Sequence, residues 1–264
     1  MRYFLHIGYD GSKYRGWQWQ PNVPSVQQAI EKGLQQIFKS PITVYGCGRT
    51  DAGVHASQYI LNINLDSKID FDLVFRLNKN LPNDISVYDV WEMKEGQNAR
   101  YDAISRTYDY FIHSYDDPIL SKYSSNYELD KLDLQEMQKA ASIFTKYEDF
   151  KAVCKQPHLY KHTLCTVTNC HLYVSEDKKR LRFTITANRF LRGMVRLSVS
   201  MLLKIGKGEI SLEEFESVLI NKIDFPEKEP ALPNGLFLSK VEYPYLKVPS
   251  RTVFASFLKV GLED

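Results

Sequence analysis

Cysteine is scarce in this chain, four among 264 residues: Cys47, Cys154, Cys165 and Cys170. That is too few for a disulfide scaffold and suits a reducing cytoplasm, which is the expected location. Charge of one sign is lacking as well, since 34 Lys and Arg against 32 Asp and Glu leave a formal +2. Long apolar runs are missing: the most helix-like one, Phe190 to Ile205, is broken by Arg192 and Arg196, so no membrane span is expected. The opening Met1-Arg2-Tyr3-Phe4-Leu5-His6 lacks the apolar core of a targeting peptide and reads as a strand. Low-complexity tracts and internal repeats are absent too. With 44% apolar and 25% charged residues, disorder, collagen and coiled coil are excluded, and the length suits one large domain or two small ones.

What the chain has is segregated charge. Nine basic residues and no acidic one lie between Lys178 and Lys207, whereas acidic residues outnumber basic ones from Gly208 onward. A positive surface facing a polyanion and a merely solvated helix face are both compatible with that pattern.

Hydrophobic periodicity organises the rest. Arg2 to Tyr9 alternates as a strand, and Ser25 caps a helix with Val26, Ile30, Leu34 and Ile37 on one face. Thr43 to Cys47 and Tyr59 to Leu65 read as strands around the loop Gly46 to Ser57. A short helix at Phe71 to Leu77 and a strand at Ile85 to Trp91 follow. The second half repeats the order: strand Ser105 to His113, helix Leu134 to Phe144, strands Thr163 to Ser175 and Leu181 to Ala187, helices Arg189 to Ile205 and Leu212 to Ile220, and strand Phe237 to Tyr243. Each half reads β-α-β-β-α-β, the ferredoxin-like order. The expected fold is α+β: two such halves, residues 1–100 and 101–264, joined into one extended, mostly antiparallel sheet with helices on one face.

The most informative segment is Gly46-Cys47-Gly48-Arg49-Thr50-Asp51-Ala52-Gly53-Val54-His55-Ala56. Small residues around one Arg and one Asp make a tight loop that lets a ligand reach the backbone. Its glycine spacing matches a P-loop, but Val54-His55 stands where Lys-Ser/Thr is required. Asp51-Ala52-Gly53 is not the Asp-Thr/Ser-Gly of aspartic proteases either. From the residues alone, Asp51 is a turn aspartate or a single catalytic carboxylate.

The string Gly48-Arg49-Thr50-Asp51-Ala52-Gly53-Val54-His55 resembles the catalytic signature of the tRNA pseudouridine synthase A family. Tyr9-Asp10-Gly11-Ser12-Lys13-Tyr14 with Gly16-Trp17-Gln18 is similar to that family's opening motif. Pro24-Ser25-Val26-Gln27, Arg106-Thr107-Tyr108-Asp109-Tyr110, Asn188-Arg189-Phe190-Leu191-Arg192-Gly193-Met194-Val195-Arg196 and Pro233-Asn234-Gly235-Leu236-Phe237-Leu238 resemble further family motifs in the family's order. Asn98-Ala99-Arg100 stands where the family usually has His-Ala-Arg.

The resemblance implies a pseudouridine synthase fold and an isomerase that converts uridine to pseudouridine in the tRNA anticodon stem-loop, at tRNA positions 38 to 40. It implies no cofactor, no metal, and a homodimer that holds tRNA. Asp51 would be the essential aspartate, a nucleophile or base. Tyr108 would stack on the base and take its C5 proton, and Arg196 would pair with Asp51 and hold it ionised. Arg49 would hold the flipped nucleotide. The alternative is a catalytically idle RNA-binding or tRNA-chaperone protein on the same fold.

Further binding residues are read from the chain itself. On a helix from Arg189, residues Arg189, Arg192 and Arg196 would fall in one narrow arc, offering guanidinium groups to phosphate. In the aromatic loop, Trp17 or Trp19 would stack on RNA with Arg15 on phosphate, or one tryptophan would pin the loop to the core. Cys154, His158, His162, Cys165, Cys170 and His171 only superficially resemble zinc-ligand spacing, since no Cys-x2-Cys pair is present.

Overall fold

The computed structural model describes residues 1–223, 228–250 and 256–262. The fold is mixed α+β, with mostly antiparallel strand pairing, and the chain divides into two compact units. The first comprises Met1–Ile104 with Phe237–Ala255, the second Ser105–Leu236 with Ser256–Asp264. The sequence places everything after residue 100 in one half, whereas the contacts return Phe237–Ala255 to the first unit.

In the first unit β1 (Arg2–Tyr9) lies between β3 (His55–Asn64) and β4 (Ile85–Met93), antiparallel to both, with Leu5 opposite Leu61 on one side and Val90 on the other. The two-residue β2 (Tyr45–Gly46) adds to β3. β9 (Leu236–Glu242) pairs with β3 in parallel, His55 beside Phe237 and Ala56 beside Leu238. Helix α1 (Val26–Phe38) starts where Ser25 Oγ accepts the Gln28 N–H at 3.2 Å, and buries Val26, Ile30, Gly33 and Leu34. Helix α2 (Leu73–Asn80) is capped by Asp72 and buries Leu73 and Leu77.

Every residue from Tyr3 to Tyr9 is buried, so alternation in β1 does not mark a wet face. Phe4 meets Tyr243 and Tyr245, and His6 lies between Tyr88 and Trp91 with Nδ1 3.0 Å from Asp89 Oδ2. Aromatic groups supplied by β4 and by the chain after β9 thus cover what the strand pattern alone leaves open.

In the second unit β5 (Ser105–His113) pairs with β8 (Arg180–Ala187), and β8 with β7 (Val167–Val174), all antiparallel. The short β6 (Ser125–Asn126) joins the end of β5 in parallel. Helices α3 (Leu134–Ile143), α4 (Met194–Gly206) and α5 (Leu212–Asn221) complete the unit, α5 with a full capping box between Ser211 and Glu214. Phe144 stacks on Phe150 at 6.0 Å and meets Phe183 and Phe215 at the centre of this core. The four-residue α6 (Ser256–Lys259) is followed by main chain tied to β8, where Arg182 donates to Leu262 O and to the buried Asp109 carboxylate.

The expected strands Arg2–Tyr9 and Ser105–His113 form with those bounds. Other elements differ in their bounds, among them β7, which begins at Val167 and not at Thr163. The strand expected over Thr43–Cys47 shrinks to two residues, and β3 begins at His55 rather than Tyr59. Helix α4 begins at Met194 and not at Arg189, because the backbone of 188–192 is engaged elsewhere. Asn188 N–H donates to Thr166 O, Arg192 N–H to Tyr160 Oη, and Arg192 O accepts the Lys155 N–H. Gly193 then takes φ +72, a conformation that favours glycine and places it as the N-cap. Arg189 therefore lies in irregular backbone and Arg192 on a turn, and the arc shared with Arg196 on one helix does not exist.

Candidate active site

The Asp51 loop belongs to the first unit and is fastened on every side. Cys47 N–H donates to Ile60 O at 2.8 Å, and the Tyr59 hydroxyl to Gly48 O at 2.5 Å. Trp17 N–H donates to Thr50 O, Gly53 N–H to Tyr14 O, and Val54 N–H back to Asp51 O, each at 3.2 Å. Tyr9 Oη and Thr50 Oγ1 share a buried hydrogen bond of 2.8 Å. Thr50 and Val54 are buried while Asp51 between them is exposed, so the loop presents one carboxylate from a fixed frame.

Two glycines make this approach possible. Gly16 has φ +97, and a Cβ there would lie 2.4 Å from Thr50 O. A Cβ on Gly46 would lie 2.0 Å from Tyr59 Oη and within 2.7 Å of the Trp17 ring. His55, fully buried, stacks on Phe237 at 4.6 Å, and its Nδ1 accepts the Gly11 N–H at 3.1 Å. That contact assigns the lone pair to Nδ1, so the 3.2 Å approach of Asp10 Oδ1 is proximity and not a hydrogen bond.

Trp17 is only 4% exposed and stacks on Tyr59 at 4.1 Å, which makes it the tryptophan that pins the loop. Trp19, at 47%, is the exposed indole. Arg15 and Arg49 are exposed.

In the second unit Tyr108 lies on β5 opposite Ile185, with its ring edge-on to Phe190 at 4.9 Å. Arg196 lies in the first turn of α4, where its Nε donates to Ala231 O at 2.6 Å and its carbonyl accepts the Ala231 N–H. One side chain and one main-chain group thus bind the same residue of the 228–236 segment. The nearby Tyr110 donates its hydroxyl to Leu232 O, and burial pushes its phenol far above the ordinary range. Arg189 lies over the Tyr160 ring and the Arg192 guanidinium donates to Gln156 Oε1, so the basic turn is braced by the 155–160 loop.

The Cys/His cluster does not converge. Cys154, Cys165 and Cys170 are buried and not in disulfides, whereas His158 and His162 are exposed. Burial pushes the Cys165 thiol up to about 11. Among the described residues no group of three or more His, Cys, Asp or Glu side chains is placed to hold a metal ion. Also among them, no helix is long and apolar enough to cross a membrane.

Sequence reasoning missed the fasteners Tyr9, Tyr14, Tyr59 and His55. The available signal was Gly11, Gly16 and Gly46, whose crowding becomes visible only once the two loops are in contact.

Comparison with known proteins bears on the chain as a whole. A family model described as tRNA pseudouridine synthase matches residues 140–244. The tRNA pseudouridine synthase A of Porphyromonas gingivalis is 37% identical over 246 residues, covering 92% of this chain and 97% of the relative. That of Bacteroides fragilis is 39% identical over 92% of this chain and 96% of its own. That of Bacteroides thetaiotaomicron is 37% identical over 99% of both.

Proposed function

The chain belongs to the tRNA pseudouridine synthase A family and is an isomerase acting on tRNA, and from that premise we propose that it converts uridine to pseudouridine at positions 38 to 40 of the anticodon stem-loop, with Asp51 as the reacting carboxylate. One observation carries the assignment: Asp51 is exposed on a loop in which Thr50 before it and Val54 after it are buried and hydrogen-bonded.

The reaction is an isomerisation. The N1–C1′ bond breaks, the uracil turns, C5 bonds to C1′, C5 loses its proton and N1 gains one. Atoms and electrons balance without an oxidant or reductant. A carboxylate serves either by attacking carbon, to be displaced later, or by taking a sugar proton and returning it. Asp51 suits both routes. Tyr108 stacks against the base and accepts the C5 proton, and Arg196 pairs with Asp51 and orients its carboxylate; these roles rest on the family resemblance. Arg49 holds the flipped nucleotide, with Arg15, Arg189 and Arg192 on phosphate. Trp19, rather than the buried Trp17, is the indole available for stacking. We also read the two halves as ferredoxin-like units sharing one sheet, in a cytoplasmic homodimer; the order of elements supports the first part.

The test is incubation with unmodified tRNA transcript and mapping of pseudouridine by base. Wild type should modify uridines at 38 to 40, and Asp51→Asn should bind tRNA and form none, because an amide is neither base nor useful nucleophile. Arg196→Lys keeps the charge without the planar fork, so it should bind tRNA and lose most of its single-turnover rate. Near wild-type turnover by Asp51→Asn would remove the catalytic assignment. Tight binding without any product from wild type would instead indicate an idle RNA-binding protein.

A further inference from the structure

The turn after β4 presents an aromatic ring that neither the core nor the Asp51 loop uses. Tyr101 is 79% exposed, the largest exposure of any bulky apolar side chain among the described residues. Its main chain is nevertheless held tightly. Asn98 Oδ1 accepts the N–H groups of both Arg100 and Tyr101, at 2.9 and 3.1 Å. Asp102 Oδ2 accepts the Asn98 N–H at 2.8 Å, and the Asp102 N–H donates to Asn98 O.

The turn is also moored to the rest of its unit. Ala99 N–H donates to Asn62 Oδ1 at 3.1 Å and Ala99 O accepts the Tyr243 hydroxyl at 2.6 Å. Tyr245 donates to Asp102 Oδ2 and Arg2 to Gln97 O, both at 2.6 Å. Four hydrogen bonds, two of them buried and two from tyrosine hydroxyls, therefore fix a backbone whose outermost side chain touches mainly solvent. The Arg100 guanidinium lies 5.6 Å from the Tyr101 ring centroid, inside cation–π range, and Arg100 is itself exposed.

Such a pair is pre-organised for one kind of ligand. An exposed ring on a rigid turn offers a flat face whose ordering cost was met during folding. A cation over one face leaves the opposite face for a base, and it suits a base whose sugar carries phosphate on both sides. A single ring beside a charge is too small and too polar for an apolar protein-docking patch. We propose that Arg100 and Tyr101 form a stacking contact for an unpaired nucleotide of the RNA substrate, Tyr101 under the base and Arg100 on the adjoining phosphate. This rests on the reading of the chain as a tRNA-modifying enzyme.

Binding of the full-length protein to unmodified tRNA transcript, followed across a salt series, tests it. Tyr101→Ala should weaken binding on the order of tenfold, the range measured for loss of one stacked base. Its dependence of log affinity on log salt should be unchanged. Tyr101→Phe should restore affinity, and Tyr101→Leu, apolar but without a π face, should not. Arg100→Ala should lower the salt slope by roughly one, as loss of one phosphate contact does.

Unchanged affinity in Tyr101→Ala overturns the contact. So does full rescue by Tyr101→Leu, or a changed sedimentation mass with intact tRNA affinity, which would assign the ring to a protein interface. Weaker binding in Tyr101→Ala alongside a wild type that forms no pseudouridine would retire the catalytic reading and leave this contact standing.

Discussion

Tyr9 reaches Thr50 with its hydroxyl, and Thr50 is the residue before Asp51. The ring of Tyr9 also packs against Tyr59 at 5.6 Å, so its two functions are separable. Tyr9→Phe keeps the packing and removes the link to Thr50. We expect it to lower the single-turnover rate by about an order of magnitude, because small misplacement of a reacting group is costly. Affinity for tRNA should move little, and a rate equal to wild type would show that the hydroxyl pair does not position Asp51. Gly16→Ala is harsher, with φ +97 and a Cβ 2.4 Å from Thr50 O. It should destabilise the protein by more than about 1 kcal/mol in denaturant unfolding, since alanine is incompatible with that backbone. The Gly48–His55 string is legible as a candidate site because its residue types are unusual together. The residues that hold it are not, because a tyrosine in an alternating strand looks the same whether its hydroxyl is used or idle.

Element by element, legibility followed how local the determining contacts are. Ser25 caps α1 through a bond to Gln28, three residues away, and α1 was readable from sequence. Helix α4 was extended too far toward its N-terminus, because apolar and basic residues continue at helical spacing from Arg189 while long-range bonds from the 155–166 segment take over the backbone. The consequence is functional. Arg192 sits on a braced turn, and Arg192→Ala should reduce the salt slope of tRNA binding by about one if it contacts phosphate; an unaltered slope removes it from that set.

The same 149–166 segment has a pH-sensitive tie. Burial pushes the Asp149 carboxyl up, but hydrogen bonds from Thr163, Lys222 and the Lys151 N–H together bring it below its ordinary range. A carboxyl lowered in the folded state adds stability that is complete above its unfolded pKa of about 3.9 and is lost as pH falls through the folded value. Asp149→Asn should therefore cost stability at pH 7 and show a smaller loss than wild type between neutrality and about pH 3. Equal pH dependence in the two proteins would mean that this tie is not linked to folding.

At the scale of the whole molecule, all four cysteines are buried and none is in a disulfide. Burial raises the thiols of Cys165, to about 11, and Cys170, well above its usual value, so little thiolate forms near neutrality. Iodoacetamide should leave the native protein unlabelled at pH 7.5 and label four sites in denaturant. Rapid native labelling of any of them would show that its core region opens readily. The division of the chain was the least legible feature. Element order suggests one cut near residue 100, yet the first unit also takes in Phe237–Ala255, because β9 pairs with β3. No local property of Leu236–Glu242 states which strand it will join.

That return has a consequence for how the enzyme is made. His55, adjoining the Asp51 loop, stacks on Phe237, which lies far along the chain. On a translating ribosome the loop and its tyrosine fasteners emerge early, but the aromatic floor beneath His55 is missing until the second unit has been synthesised. At roughly 5–20 residues per second that is a delay on the order of ten seconds. A nascent chain stalled before residue 237 would carry Asp51 on an unfinished support, so competence to modify tRNA should arise only near the completion of synthesis.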